Sequence, residues 1–433
     1  MKKEQKFAKD LIDFIDISPS SFHVVKQVEE ILNKAGFEKI SLKDKWELKK
    51  EGKYYVIKNN SAIIGFIIGK GEIEKDGFKL IGAHTDAPTF KIKPSPEMTV
   101  EGKYLKFNTE VYGGPLLNTW FDRPLSIAGR VTVKTDNPFK PKEHLLDIEK
   151  PIMIIPNLAI HMNRKANEGV KINPQTDILP LVSMINDKFE KENFLLELLA
   201  ENLNVKVKDI LDFELFLYDT EKGSLIGLNE EFISVGRLDD LAMVHAGLHG
   251  LIESEVGNAT NVLVCFDNEE VGSTTKQGAA SPMLRTILDR IIIAMDKDRE
   301  DYYRALSNSF LISADMAHAL HPNYTEKQDP TNRPVINGGP TIKISARQSY
   351  TTDSLSSAIY EGICKSVEVP IQKFVNRSDE RGGSTIGPIS STQLDIPSVD
   401  IGNPILAMHS IRELGGVLDH YYVYQSFKEF YKI

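Results

Sequence analysis

Short apolar runs that end in charged or turn residues recur along this chain and set its reading. Val262-Leu-Val-Cys-Phe266 is continuously apolar and runs into Asp267-Asn-Glu-Glu-Val-Gly272. A run of this kind, bounded by turn residues, predicts a strand buried on both faces, as in a parallel sheet. Phe78–Gly82, Phe310–Ser313, Thr341–Ser345 and Ser398–Ile401 read the same way, and Tyr54–Lys58 and Ala62–Ile68 extend the set. Helical spacing marks Phe7, Leu11, Phe14 and Ile15, then a helix capped by Ser20 or Ser21, running to about Lys34 and closed by Gly36. Further helices are expected over Leu241–Ile252, Met283–Met295, Leu355–Ser366 and Tyr422–Tyr431.

The texture changes from about Lys91. Pro94, Pro96, Gly102, Gly113-Gly114-Pro115 and Pro124 punctuate short β-like runs, and helical spacing is absent until Ile178. A helix is expected over roughly Leu179–Ala200 and a strand over Phe213–Leu217, after which the α/β texture resumes at Gly227. The pattern predicts a discontinuous α/β domain from 1–90 and 228–433, with a mixed, largely parallel sheet between helices. A β-rich domain, 91–227, interrupts it.

Length and composition narrow the class. A chain of 433 residues exceeds one typical core, and 41% hydrophobic with 26% charged residues is the balance of a globular protein in water. A net charge of −9 argues against nucleic acid and anionic membranes as partners. With only Cys265 and Cys364 there is no disulfide framework, and no apolar run is long enough to span a bilayer. The N-terminus carries Lys2 and Lys3 but no apolar signal core. A cytoplasmic location is expected.

Chemistry collects beyond the carboxyl ends of strands in open α/β sheets. His84 and Asp86, Asp239, Glu269 and Glu270, Asp315, and His409 all stand at such ends. Asp239 or Asp240 can cap the helix that follows, which leaves the other aspartate over. Two imidazoles and several carboxylates without cysteine suit two divalent ions, zinc first, with manganese or cobalt as alternatives. Three carboxylate ligands and a hydroxide would offset the four positive charges, a balance that tolerates burial. Glu269 is then left to act as a base and Asp86 to orient a neighbour.

Other histidines are weaker signals. His245 and His249 have the i, i+4 spacing of a zinc helix, but the intervening Ala-Gly-Leu lacks a glutamate and the context is apolar, so they are not assigned to the metal set. His23 is assigned no role, and His161 reads from spacing alone as structural. Lys343, with Arg347 or Arg381 near it in sequence, is a candidate partner for an acidic group.

Gly82-Ala-His-Thr-Asp86, Gly236-Arg-Leu-Asp-Asp240, Asp267-Asn-Glu-Glu-Val-Gly272, Ser313–Tyr324 and Met408-His-Ser-Ile-Arg-Glu413 together resemble the M18 family of metalloaminopeptidases, the aspartyl aminopeptidase group. The resemblance covers nearly the whole chain in the family's order. It implies a zinc-exopeptidase-like catalytic domain. It also implies that His84 and Asp315 hold one metal, Glu270 and His409 the other, and that Asp239 bridges them. Glu269 would be the general base and Asp86 a supporting catalytic residue, with substrate contacts at His161, His318, Lys343 and Tyr350. The insertion would be a dimerisation domain that lends His161 to the partner's active site, and dimers would build a dodecamer. The expected activity is removal of the N-terminal residue from peptides, with acidic first residues preferred. The alternatives are an aminopeptidase for neutral or apolar first residues, a dinuclear zinc carboxypeptidase or deacylase on a similar scaffold, and a non-catalytic assembly or cargo protein on the same shell.

Overall fold

The computed structural model describes residues 2–185, 193–380 and 382–433. The chain packs into two compact units. Met1–Asp86, Gly223–Met408 and Glu413–Ile433 form the first, and Ala87–Lys222 with His409–Arg412 form the second.

The first unit is an α/β sandwich around a nine-stranded sheet. Its order is Glu38–Lys39, Lys53–Lys58, Ala62–Ile67, Thr260–Phe266, Phe78–His84, Phe310–Ala314, Ser398–Gly402, Thr341–Ile344 and Gln372–Val375. Five neighbouring pairs are parallel and three antiparallel, a mixed and largely parallel sheet as expected. Every residue of Thr260–Phe266 is buried. Leu263 and Cys265 enter a core shared with helices Lys3–Asp16, Ser21–Lys34, Leu238–Glu253, Ser354–Ser366 and Val417–Lys432. Val262, Val264 and Phe266 enter the opposite core, shared with Met283–Ala294, Arg299–Ser307 and Ile386–Leu394. A strand whose alternate side chains all find apolar cover reads as a continuous apolar run, and each such side chain contributes about 1.5–3 kcal/mol through burial.

Parallel pairing brings strand ends to one edge. Phe266 lies opposite His84, and Ala314 opposite Ile401. Gly402 passes so close to Asp315 that a Cβ there would collide with the Asp315 carbonyl oxygen. That glycine lets the backbone carrying Asp315 sit against the neighbouring strand.

The second unit holds a six-stranded sheet in the order Lys142–Asp147, Leu125–Val133, Ile210–Asp219, Thr89–Val100, Tyr104–Tyr112 and Leu181–Met184, with every pair antiparallel. One face packs a core that includes Phe90, Phe107, Trp120, Leu195 and Leu199.

Several local expectations need correction. Leu181–Met184 is a strand, and the helix of this region is Phe194–Leu203; residues 186–192 of the expected Leu179–Ala200 helix lie outside the described residues. Within Leu238–Glu253 the backbone angles at Asp239 and Asp240 are non-helical, so the regular turns begin at Leu241, as expected, and Leu238 belongs to a separate turn before a kink. Ser20 is the N-cap of Ser21–Lys34, but its hydroxyl is turned to His23 Nδ1 at 2.8 Å instead of to the backbone. Helices Arg299–Ser307 and Ile386–Leu394 were not expected.

Candidate metal centre

In the first unit the strand ends build a buried, strongly acidic cluster. His84 closes Phe78–His84 and is 1% exposed, with Asp86, Asp239, Asp240 and Asp315 buried around it. Its backbone N–H donates to Asp240 Oδ2 at 3.0 Å. Its ring reaches Asp86 Oδ1 at 3.4 Å through Nδ1 and Asp239 Oδ1 at 3.5 Å through Nε2. His84, Asp239, Asp240 and Asp315 each offer a ligand atom within 4.8 Å of the others, and His84, Glu269 and Glu270 form a second such group.

Asp86 organises the paired glutamates. Its two carboxylate oxygens accept the backbone N–H groups of Glu269 and Glu270 at 3.1 and 3.2 Å. The turn before them is held at Asn268, whose side-chain oxygen accepts from Thr275 and Gln277, both at 2.8 Å. Asn268 itself takes a φ of 63°, a left-handed conformation that asparagine tolerates well. Glu413, 3% exposed, accepts the Asp239 backbone N–H at 3.1 Å and so fixes the start of the Leu238–Glu253 helix.

The electrostatics report crowded negative charge. Burial, and after it the neighbouring carboxylates Asp239 and Glu269, push Asp315 up to about 8 against the pull of Lys343. Burial and Asp239 push Glu270 well above the carboxylate range, and burial raises Glu269 too. Asp240 rises for the same first reason, burial, with Asp315 and Asp239 adding to it. Burial opposes charge on His84, yet Asp240, Asp239 and Asp86 outweigh it and raise that imidazole well above its ordinary value. Carboxylates in this arrangement must protonate or share a cation. A hard or borderline divalent cation fits a donor set of carboxylate oxygens and imidazole nitrogen, the set zinc accepts.

Lys343 is buried with its ammonium 3.8 Å from Asp315 Oδ2 and 5.5 Å from the Tyr350 ring centroid. The Tyr350 and Phe374 rings lie 6.4 Å apart, and the Phe374 and His318 rings 5.8 Å apart. The structure therefore brings His318, Lys343 and Tyr350 to one region of the first unit. A cavity of about 470 Å³ is lined by Arg347, Ser349, Asn376 and Arg377, among others. Arg377 is held by Asp379 at 2.6 Å, and Arg381 lies outside the described residues.

His161 and His409 belong to the second unit. His161 is exposed, in a turn flanked by the exposed Leu158, Ile160 and Met162. His409 has a φ of 66°, its Nδ1 lies 3.1 Å from the Gly114 carbonyl, and its own carbonyl accepts from Leu116 N–H at 2.9 Å. Sequence reasoning left open which of Asp239 and Asp240 caps the helix, gave Asp240 no place in the metal set and gave Glu413 no part. The unexplained second aspartate of Asp239-Asp240 was the signal for Asp240.

The sequence matches the family described as aminopeptidase I zinc metalloprotease (M18) over residues 14–431. It is similar to a protein of Clostridium novyi (strain NT) named probable M18 family aminopeptidase 2, at 62% identity over 433 residues and 100% of both chains. Among solved structures, the fold is similar to a chain in the cryo-EM structure of the Ape4 and Nbr1 complex, with TM-score 0.94, 36% identity, and coverage of 99% of this chain and 86% of that one. It is also similar to the mApe1 dodecamer of S. cerevisiae, with TM-score 0.85, 30% identity, and coverage of 99% and 97%.

Proposed function

This chain belongs to the M18 family of metalloaminopeptidases, and from that premise we propose that it removes N-terminal residues from peptides with two divalent ions held at the strand-end cluster. The observation that carries this reading is the excess of buried carboxylates around His84, which calls for cations. In this assignment His84 and Asp315 hold one ion, Glu270 and His409 the other, and Asp239 serves both. Zinc suits the donors, with manganese or cobalt as substitutes.

Bound ions of this kind lower the pKa of a water and polarise a carbonyl. The chain's own residues do the rest. Glu269, whose carboxyl burial raises above its ordinary value, takes the proton of the attacking water and returns it to the leaving amine. Asp86 fixes the Glu269 and Glu270 backbone and supports catalysis through that hold. His318, Lys343 and Tyr350 contact substrate. Lys343, together with Arg347 at the cavity rim, supports a preference for an acidic first residue.

The exposed apolar residues around His161 support a dimer in which this histidine serves the partner's site. The two units correspond to a catalytic domain and a dimerisation insertion. Assembly into a dodecamer follows the S. cerevisiae neighbour described as one. Both cysteines are buried free thiols, which suits the cytoplasm. Among the described residues no helix is long and apolar enough to cross a membrane.

The test is hydrolysis of Asp-, Glu- and Leu-arylamides by metal-stripped protein after addition of Zn²⁺, Mn²⁺ or Co²⁺. The reading expects metal-dependent release with Asp or Glu fastest. Faster release from Leu rejects the acidic preference, and release from N-blocked peptides rejects the aminopeptidase assignment.

A further inference from the structure

A second cluster of metal-ligating side chains lies on the outer helices of the first unit, built from Asp10, His245 and His249. The Lys3–Asp16 helix supplies Asp10. The Leu238–Glu253 helix supplies His245 and His249, one turn apart on the same face. At a 1.5 Å rise per residue, His249 stands roughly 15 Å along that helix from Asp239. The two clusters share a helix but no ligand.

The geometry is that of a coordination set. Asp10 Oδ2 lies 3.1 Å from His245 Nε2 and 3.3 Å from His249 Nε2. Tetrahedral zinc with bonds of 2.0–2.1 Å holds its ligand atoms about 3.3 Å apart. The outer ring nitrogens are engaged as ligating histidines require. His249 Nδ1 meets Glu253 Oε1 at 3.2 Å, and Glu253 in turn accepts from the Tyr424 hydroxyl. His245 Nδ1 meets His420 Nε2 at 3.0 Å. His420, on the Val417–Lys432 helix, is 2% exposed, and its Nδ1 has no hydrogen-bond partner among the described residues. The Phe7 ring covers His245, His249 and His420 at centroid distances of 4.9, 5.4 and 4.8 Å.

Charge and access agree with a cation. Two carboxylates, Asp10 and Glu253, balance one divalent ion among neutral imidazoles, with Lys428 the remaining charged neighbour, 3.5 Å from Glu253. The Asp10 side chain is 58% exposed while His245 is 1% exposed, so an ion enters from solvent at the Asp10 side. We propose that Asp10, His245 and His249 form a third site, for a structural zinc-class divalent ion, that staples the N-terminal helix to the Leu238–Glu253 helix. A proton on His249, shared between Asp10 and Glu253, is the competing occupant of the same geometry, so binding should weaken as pH falls.

The experiment compares zinc bound per chain, by equilibrium dialysis and elemental analysis at neutral pH, in the full-length protein and in His249→Gln and Asp10→Asn variants. The expected result is one zinc fewer in each variant, with peptide hydrolysis at saturating zinc undiminished. Zinc added in excess of the catalytic requirement should raise the wild-type Tm and leave the Tm of the variants unchanged. Equal zinc content in wild type and both variants overturns the proposal and assigns the cluster to a proton. Far-UV circular dichroism and retained hydrolysis establish that a variant is folded, and Asp10→Asn, at an exposed position, serves if His249→Gln is not. Because the readout is a difference between proteins with the same strand-end cluster, it stands apart from the count at that cluster.

Discussion

Two clusters of histidine and carboxylate in one unit have opposite electrostatics. At the strand ends the His84 imidazole is crowded by carboxylates, and burial drives Asp240, Glu269, Glu270 and Asp315 up. On the outer helices two imidazoles face Asp10, with His420 behind His245, and hydrogen bonds from His245 and then His249 hold that carboxyl far below its ordinary range. Burial pushes His245 down to about 4 and His420 well below its ordinary value. The first cluster has more carboxylate than Lys343 and His84 can balance and is suited to chemistry. The second is close to balance and is suited to holding helices together. Residue types alone do not separate the two; the ratio of carboxylate to imidazole does.

Perturbing the acidic cluster should have the largest effects. Asp239→Ala should abolish hydrolysis and lower the zinc bound per chain, while leaving the Asp10 cluster's share intact; full activity with full zinc would erase the distinction drawn between the clusters. Asp86→Ala frees the Glu269 and Glu270 backbone without removing a ligand. It should lower kcat by about 10- to 100-fold with zinc content retained, and steady-state kinetics beside elemental analysis would detect it. Gly402→Ala drives a Cβ into the Asp315 carbonyl and should cost about 1–3 kcal/mol of stability, read from the urea midpoint.

The smallest effect belongs to the helix cluster. His245 titrates near 4 when folded and near 6.5 when unfolded, so the unfolded chain binds more protons between those values. Stability should therefore fall as pH drops from 6.5 toward 4, by up to about 1.4 kcal/mol per pH unit for each such group. His420 adds to this fall. His249 is raised by Asp10 and Glu253 against burial, so its contribution is fully present below 6.5 and lost as pH rises above it, and it leaves the slope between 6.5 and 4 unchanged. Asp10 is depressed and contributes at all pH values above the carboxylate range. His420→Leu should flatten the wild-type dependence in zinc-free buffer; an unchanged slope would remove His420 from the account.

The strand-end donors were legible because each follows a short apolar run, and sheet topology forces such ends to one edge. Asp240 was not, because a carboxylate beside a helix start reads equally well as a cap, and Glu413 was not, because its contact with the Asp239 backbone spans 174 residues of sequence. Here the backbone angles at Asp239 and Asp240 are non-helical, and the Asp240 carboxylate accepts from the His84 backbone N–H. The Leu179–Ala200 helix failed on a short alternating segment, Leu181-Val-Ser-Met184, which pairs as a strand with Tyr104–Tyr112. The helix Arg299–Ser307 is short and opens on three charged residues, with its buried positions confined to Tyr302, Ala305 and Leu306, while Ile386–Leu394 has Gly387-Pro388 in its first turn, which reads as loop. That His409–Arg412 packs with a unit made mostly of residues 87–222 is a tertiary fact with no local signal. His245 and His249 were set aside for their apolar context, and their carboxylate, Asp10, lies 235 residues from His245 in sequence. Local pattern cannot show that distance closed.

The central claim is that two adjacent glutamates divide their work, Glu270 as ligand and Glu269 as base. Zinc content and peptide hydrolysis measured on one preparation of Glu269→Gln test it most directly. The account predicts wild-type zinc with hydrolysis reduced by about 10²- to 10⁴-fold. A metal-replete Glu269→Gln protein with near wild-type kcat would contradict it.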